Sequence, residues 1–93
     1  MTRIAFDVDG TLIKKTINGD VPRYEVIAVL LSMVEWGNTV FVWSGGGVDY
    51  AEHWVRKLGL PPEVRVLPKA LGHDIDLAFD DQDATLATVT VKV

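Results

Sequence analysis

The stretch Ile4-Ala5-Phe6-Asp7-Val8-Asp9-Gly10-Thr11 places two carboxylates directly after a short apolar run. The apolar run predicts a buried β-strand, and Gly10 predicts a turn where that strand ends. Asp7 and Asp9 would share one face of a continuing strand, and the turn instead lets Asp9 curl back towards Asp7. Ligands of open α/β sheets bind at the carboxyl ends of the strands. We therefore expect both carboxylates in a ligand site at this end of the first strand.

The same stretch, taken alone, is compatible with a calcium-binding loop or with a plain acidic turn. An EF-hand loop requires oxygen ligands at further alternate positions and a Glu at its end. Ile13 and Lys15 follow here at alternate positions, and the next Glu is Glu25. The sequence therefore excludes an EF-hand, and the apolar strand before Asp7 argues against a plain turn.

Length and composition predict one globular domain over residues 1–93. The hydrophobic fraction is 48%, the formal net charge is −4, and there is no cysteine for a disulfide or a thiolate metal site. We find no apolar run long enough to span a membrane and no apolar amino-terminal stretch typical of a signal peptide. These features predict a cytoplasmic protein that does not bind membranes. The lack of a basic stripe argues against duplex nucleic acid as a partner.

The remaining pattern alternates helical and strand segments, which predicts an α/β fold. A flap or hairpin with Asn18-Gly19 as its turn follows the first strand over residues 12–21. The predicted helices cover residues 23–36 and 48–58, and the predicted later strands cover residues 39–43, 64–67, 75–79 and 85–93. We expect a three-layer, Rossmann-like arrangement with a mostly parallel sheet and helices on both faces.

The first predicted helix has an unusually apolar composition. Ten of the thirteen residues from 24 to 36 are apolar, and Glu25, Ser32 and Glu35 form one narrow polar stripe. A helix of this kind is buried on most sides. We therefore expect it to pack on the sheet, and we expect part of it to face a partner subunit in a homodimer.

Three predicted strands end in polar residues at what should be one edge of the sheet. A lone lysine, Lys69, lies in the sequence between the last two of these strands. The polar ends are Asp7 with Asp9, Ser44 with Gly45 and the two glycines after it, and Asp80 with Asp81. Two acidic clusters on neighbouring strands can hold one Mg²⁺ through oxygen ligands. The set therefore predicts phosphoryl transfer.

Each group of residues suggests a role in such a transfer. Asp7 would attack phosphorus and form an aspartyl-phosphate, while Asp9 would protonate the leaving oxygen and later activate water. The Ser44 hydroxyl and glycine N–H groups, starting with that of Gly45, would cradle the phosphate at a helix N-terminus. Lys69 would add a positive charge, and Mg²⁺ would offset the repulsion between the carboxylate and an anionic substrate.

The same residues have structural interpretations when each is taken alone. Ser44 could be an ordinary helix N-cap, Lys69 could be a solvated lysine, and the acids at positions 80, 81 and 83 could cap a short helix. Lys14 and Lys15 in the flap could attract an anionic substrate or could simply be solvated. The functional interpretation is favoured because all of its groups occur together and in order.

Taken together, these motifs resemble those of the haloacid dehalogenase-like phosphatases. The matching residues are Asp7-Val8-Asp9-Gly10-Thr11, Ser44 after an apolar strand, Lys69, and Asp80-Asp81 after another apolar strand. The resemblance covers nearly the whole chain, from residue 4 to about residue 83. An acid at the position of Asp9 is similar to the phosphatase branch and differs from dehalogenases and transport ATPases. The implied activity is Mg²⁺-dependent hydrolysis of a phosphorylated substrate.

The resemblance also implies a metal site. Asp7 would be both nucleophile and metal ligand, and Asp9 would bind the metal through its backbone carbonyl. Of the doubled acid, Asp81 is expected to reach the metal, while Asp80 and Asp83 would hold metal-bound waters. Ser44 and Lys69 match the phosphate-binding residues of the family.

The sequence departs from the family pattern in its short connections. Neither the flap at residues 12–21 nor the segment between Lys69 and Asp80 has room for a cap domain, which resembles the capless members of the family. Such members have open sites that serve large substrates or borrow a cover from a partner. We expect a single helical turn before the strand at residues 75–79, and the direction of the last strand stays open.

Two other functions are compatible with the sequence. One is a binding or regulatory module that keeps the metal and phosphate site but turns over little. The other is a nucleotidase or a phosphatase acting on a nucleic-acid end, for which Trp43 could stack a base. An apolar strand surrounds Trp43, and core packing is the favoured interpretation. Retention of both Asp7 and Asp9 favours the enzyme, because a binding module needs no acid/base group.

Overall fold

A mainly parallel five-stranded sheet forms the centre of this small α/β protein in a computed structural model that describes residues 2–83 and 85–93. Two helices and a separate two-stranded hairpin accompany the sheet. The elements in chain order are β1 (Arg3–Asp7), β2 (Ile13–Thr16), β3 (Gly19–Pro22), α1 (Tyr24–Glu35), β4 (Thr39–Trp43), α2 (Val48–Lys57), β5 (Arg65–Val66), β6 (Leu77–Asp80) and β7 (Val89–Lys92).

The strand order β5-β4-β1-β6-β7 places β1 in the middle of the sheet, and every neighbouring pair is parallel. Continuous apolar runs in β1 and β4 suit strands that are covered on both faces. The register pairs Asp7 of β1 with Trp43 of β4, and Phe6 of β1 with Phe79 of β6. The polar residues that end these three strands therefore meet at one edge of the sheet, as predicted.

Both helices pack on the same face of the sheet, which corrects the prediction of helices on both faces. Val26, Ile27 and Leu30 of α1 and Ala51 and Trp54 of α2 belong to one buried cluster with alternate residues of β1 and β4. The opposite face carries a second cluster built from the strands and from loop residues. Its members are Ala5, Phe41, Trp43, Ile75 and Ala78, with Leu67, Leu86 and Ala87 packed against them.

The connection between β5 and β6 forms bends, and residues 67–76, all of them described, contain no helical turn. The predicted single-turn helix before β6 is therefore wrong. Arg3 fastens this loop to β1, because its guanidinium donates hydrogen bonds to the carbonyls of His73 and Asp74. The backbone N–H of Arg3 also donates to the Asp76 carboxylate at 2.8 Å. These bonds hold Ile75 over the second face without a helix.

The last strand runs parallel to β6, with Leu77 paired to Val89 and Asp80 paired to Lys92. The sequence predicted this strand and left its direction open. The N–H of Val93 donates to the carbonyl of Asp80 at 2.8 Å and extends the pairing by one residue. The end of β7 therefore lies beside the polar end of β6.

The hairpin of β2 and β3 confirms the predicted flap after the first strand. Its turn is held by the Thr16 hydroxyl, which donates to the carbonyl of Gly19 and accepts from the N–H of Asn18. Lys14 and Lys15 are exposed on this hairpin. The flap is joined to the loop after β1 through a bridge between Asp9 and Ile13.

Helix α1 is less buried than its composition predicted. Val26, Ile27 and Leu30 face the core, whereas Tyr24, Leu31 and other apolar residues on its outer side are exposed. The prediction of a helix buried on most sides is therefore wrong for the single chain, and a homodimer through this face stays a prediction. Within the described parts of the chain, neither helix is long and apolar enough to cross a membrane.

Candidate functional site

Lys69 lies between two buried carboxylates at the carboxyl edge of the sheet. Its Nζ donates hydrogen bonds to Asp80 Oδ2 at 2.8 Å and to Asp7 Oδ1 at 3.2 Å. The side chains of Asp7, Asp80 and Lys69 are 8%, 1% and 18% exposed, so water screens these ion pairs weakly. The sequence predicted that these residues meet, and the interpretation of Lys69 as a merely solvated lysine is wrong.

Burial raises the pKa of Asp7 to about 6 from its ordinary value of 3.8. The charge of Lys69 opposes this shift, and the neighbouring Asp80 carboxylate adds to it. Burial also lowers the pKa of Lys69, but the bonds and charges of Asp80 and Asp7 outweigh burial and leave that pKa raised. Lys69 therefore stays charged beside a carboxylate that is difficult to ionise in this apolar surrounding.

Asp81 completes an acidic cluster with Asp7 and Asp80. One carboxylate oxygen of each lies within 4.8 Å of those of the other two. Burial and the neighbouring Asp80 raise the pKa of Asp81. Its carboxylate packs against Gly10, where a Cβ atom would overlap it. Gly10 therefore leaves the space that allows Asp81 to approach the end of β1.

The donor set of this cluster fits a hard divalent cation. It consists of carboxylate oxygens, which Mg²⁺ prefers, and Lys69 offsets one of the three negative charges. Asp83 lies outside the cluster, and its role of holding a metal-bound water stays a prediction. Its side chain is 87% exposed, and it lies 3.7 Å from the Nζ of Lys92.

The turn after β4 forms the second wall of the site. Ser44 is buried, and its hydroxyl accepts a hydrogen bond from the N–H of Gly46 at 3.0 Å. The N–H of Gly47 donates to the Ser44 carbonyl at 3.1 Å. Gly47, with a φ of 104°, is the N-cap residue of α2, and no side chain caps this helix end. Ser44 is therefore not the N-cap, and its hydroxyl shapes the turn that precedes the helix.

The loop after β1 holds Asp9 in place. Within it, the N–H of Gly10 donates to the carbonyl of Ile13 at 2.9 Å, and the N–H of Ile13 donates to the carbonyl of Val8. Arg23 reinforces the loop by donating a 2.7 Å hydrogen bond to the Gly10 carbonyl. These bonds reverse the chain after Asp7, so that Asp9 lines the same cleft as Asp7.

Tyr50 belongs to the site although its place in the sequence did not predict it. It lies in the first turn of α2, and its hydroxyl donates a 2.6 Å hydrogen bond to Asp9 Oδ1. Burial raises the pKa of Tyr50, and so does its bond to Asp9, with a smaller contribution from Asp20 of the flap. The sequence feature that could have predicted this role is the position of Tyr50, one helical turn after a glycine-rich loop.

A cleft of about 250 Å³ brings together all of the predicted site residues except Asp83. Gln82 also lines it, and its backbone N–H donates to Asp80 Oδ1 at 3.0 Å. The full lining is Asp7, Asp9, Ser44, Gly45, Gly46, Lys69, Asp80, Asp81 and Gln82. Lys14 instead lines a separate cleft of about 630 Å³ beside Arg23. Trp43 is 1% exposed within the second cluster, as its core interpretation predicted.

Comparisons with protein-family models, with curated proteins and with solved structures found no match for this chain. Its function is therefore inferred from the residues of the cleft. The arrangement offers a carboxylate beside a cation, an acidic cluster for a metal, a serine–glycine turn and a second carboxylate held by a tyrosine. Such a set of groups is able to support nucleophilic attack by a carboxylate on an anionic group.

Proposed function

We propose that the chain is a Mg²⁺-dependent phosphomonoesterase that works through an aspartyl-phosphate. The observation that carries this proposal is the position of Lys69, which bridges Asp7 and Asp80 inside an acidic cluster. A cation in that position attracts an anionic substrate towards a carboxylate that would otherwise repel it. The Ser44 turn on the other side of the cleft supplies polar groups for the same anion.

Asp7 is the proposed nucleophile. A carboxylate oxygen of Asp7 attacks phosphorus, the new O–P bond forms, and the bond between phosphorus and the leaving oxygen breaks. Ser44 and Lys69 hold the oxygens of the transferred group, and the N–H of Gly45 completes the cradle. Burial of Asp7 favours this role, because a carboxylate with little solvation is more reactive than one in water.

Asp9 is the proposed general acid and base. It gives a proton to the leaving oxygen in the first half of the reaction. In the second half it removes a proton from water, whose oxygen attacks the phosphorus of the aspartyl-phosphate and frees Asp7. Its place in the cleft, two residues from the nucleophile and bonded to Tyr50, supports this assignment.

Asp7 and Asp81 would hold the Mg²⁺ directly, together with the backbone carbonyl of Asp9, and Asp80 would hold a metal-bound water. Asp80 is assigned the outer position because Lys69 and the N–H of Gln82 already occupy its two oxygens. When bound, the metal neutralises charge that the substrate phosphate brings to the cluster.

We also propose that the chain is a capless haloacid dehalogenase-like phosphatase with a Rossmann-like sheet. The order of the polar strand ends along the sequence and their convergence at the edge of a parallel sheet support this assignment. The cleft is partly open to solvent, which supports a phosphate carried by a larger molecule, such as a nucleotide or a macromolecular end. Burial of Trp43 gives no support to a base-stacking role for that residue.

The proposal is tested by hydrolysis of 4-nitrophenyl phosphate with and without Mg²⁺. We expect activity that requires the metal and is lost in Asp7→Asn, while Asp83→Asn, which changes an exposed acid outside the cluster, retains it. Activity that survives Asp7→Asn would contradict the mechanism. Mg²⁺ binding without turnover of any phosphomonoester would instead favour a binding or regulatory module.

A further inference from the structure

Tyr50 joins two parts of the cleft that are far apart in the sequence. Its hydroxyl donates a hydrogen bond to Asp9 Oδ1 at 2.6 Å. Its ring lies against Gly46, where an added Cβ would be 3.1 Å from the ring atom Cδ2 and 3.4 Å from the Ser44 hydroxyl oxygen. One half-buried side chain thus contacts both the acidic loop after β1 and the glycine turn after β4.

We propose that Tyr50 is a positioning residue for the proton transfer that Asp9 performs, an inference that rests on the proposed phosphatase function. The Tyr50 hydroxyl engages Oδ1 of Asp9 and leaves Oδ2 to carry the proton. That proton passes to the leaving oxygen as the P–O bond breaks, and Asp9 becomes a carboxylate. The hydrogen bond from Tyr50 is then charge-assisted and stabilises this carboxylate.

The second half of the reaction returns the proton. Water loses a proton to Oδ2 of Asp9 while its oxygen attacks the aspartyl-phosphate, so Asp9 ends the cycle protonated. Tyr50 keeps its own proton throughout. Its effect is therefore on the orientation and stability of Asp9, and its substitution should leave phosphate binding by Ser44 and Lys69 unchanged.

A purely structural role for Tyr50 is the competing explanation, because its ring also packs on Gly46. Tyr50→Phe separates the two, since it keeps the ring and removes the hydroxyl. A positioning role predicts that the loss depends on how much the leaving group needs a proton. Phenolate is a much stronger base than nitrophenolate, so hydrolysis of phenyl phosphate depends more on the general acid.

The experiment compares phenyl phosphate with 4-nitrophenyl phosphate as substrates of the full chain with Mg²⁺. For Tyr50→Phe we expect kcat/KM, which reports only the steps up to departure of the leaving group, to fall about tenfold with phenyl phosphate and less than about twofold with 4-nitrophenyl phosphate. Tyr24→Phe is the matched control, because Tyr24 is 73% exposed at the start of α1. Tyr24→Phe should hydrolyse both substrates as efficiently as the wild type.

Equal losses of kcat/KM on the two substrates, or no loss on either, would overturn the positioning role. Asp9→Asn provides a second check, since its kcat/KM must show the same selectivity as that of Tyr50→Phe and a larger loss on phenyl phosphate. A loss on phenyl phosphate that is smaller for Asp9→Asn than for Tyr50→Phe would show that Tyr50 does not act through Asp9. Failure of the phosphatase itself is recognised separately, by wild-type protein that hydrolyses neither substrate or by activity that survives Asp7→Asn.

Discussion

The carboxylate of Asp81 fills the space in which a side chain at Gly10 would begin. Gly10 also has a φ of +79°, a backbone conformation that residues with a Cβ adopt only with strain. Two independent requirements therefore coincide at this glycine. The first is the turn that brings Asp9 back towards Asp7, and the second is the close approach of Asp81, which directly follows β6.

Replacing Gly10 with alanine should be more damaging than the same change at a glycine with comparable φ. Gly37 has a φ of +85°, and among the described residues no atom beyond its two chain neighbours lies within 4 Å of the position of its missing Cβ. We expect Gly37→Ala to lower the free energy of unfolding by about 1–2 kcal/mol through backbone strain alone. Gly10→Ala should lose at least about 1 kcal/mol more, because Asp81 must also move. Urea unfolding of both variants measures the difference, and equal losses would show that the contact with Asp81 is not restrictive.

Removing the charge of Lys69 should destabilise the protein strongly. Lys69→Met leaves Asp7 and Asp80 buried without their common cation, and we expect a loss of about 3 kcal/mol at pH 7 in the absence of metal. The raised pKa of Lys69 means that its contribution is complete below pH 10.5 and is lost only as the pH rises through the higher folded-state pKa. Urea unfolding of the wild type and of Lys69→Met at pH 7 measures the loss.

Lys92→Met is the matched control for this substitution. Lys92 pairs with Asp83 at 3.7 Å on the surface, where both side chains are mostly exposed, so its removal should change the stability by less than about 1 kcal/mol. A loss for Lys69→Met as small as that of Lys92→Met would contradict the importance of the buried bridge.

The arrangement of the site residues along the sheet edge was predictable because it follows from the strands themselves. Apolar runs before Asp7, Ser44 and Asp80 indicate strands that end where the polar residues begin, and parallel strands align those ends. The hairpin was predictable from Asn18-Gly19. In each case a local pattern carries the information, and no long-range contact has to be known.

Predicting which face of the sheet the helices cover requires the strand order as well. The chain passes from β1 to β4 and then to β5 in one direction across the sheet, and right-handed crossovers put both helices on one face. The step from β5 back to β6 would place a helix on the other face, but residues 67–76 form a loop there. The contact of Tyr50 with Asp9 was likewise not predictable from the sequence. Helical periodicity predicts the face of the helix on which a residue lies, but not the partner of its hydroxyl.

The stability of the metal-free protein should fall as the pH rises from about 4 to about 6, and Asp7 should be one cause. Its pKa is about 6 in the folded protein against an ordinary value of 3.8. The folded state therefore binds the extra proton in this range, so the stabilisation is complete below pH 3.8 and is lost as the pH rises through 6. Asp7→Asn removes this dependence and should be the more stable protein at pH 7.5.

Thermal unfolding in a chelator at pH 4.5 and pH 7.5 checks this expectation. The unfolding midpoint of Asp7→Asn minus that of the wild type should be larger at pH 7.5 than at pH 4.5. Asp83→Asn replaces an exposed acid, and its midpoint relative to the wild type should stay nearly constant. A difference between wild type and Asp7→Asn that does not change with pH would show that Asp7 titrates normally.

Added Mg²⁺ should stabilise the folded protein through the acidic cluster, and the effect should depend on Asp81. Binding to the folded state alone raises the free energy of unfolding by about 2.7 kcal/mol at a metal concentration one hundred times Kd. Asp81→Asn removes a cluster carboxylate without breaking the bridge of Lys69, so most of this gain should disappear while the metal-free protein stays folded. Asp83→Asn, whose side chain lies outside the cluster, should keep the gain. Thermal unfolding over a series of Mg²⁺ concentrations measures all three proteins, and a gain that is lost in Asp83→Asn but kept in Asp81→Asn would move the metal site away from the end of β1.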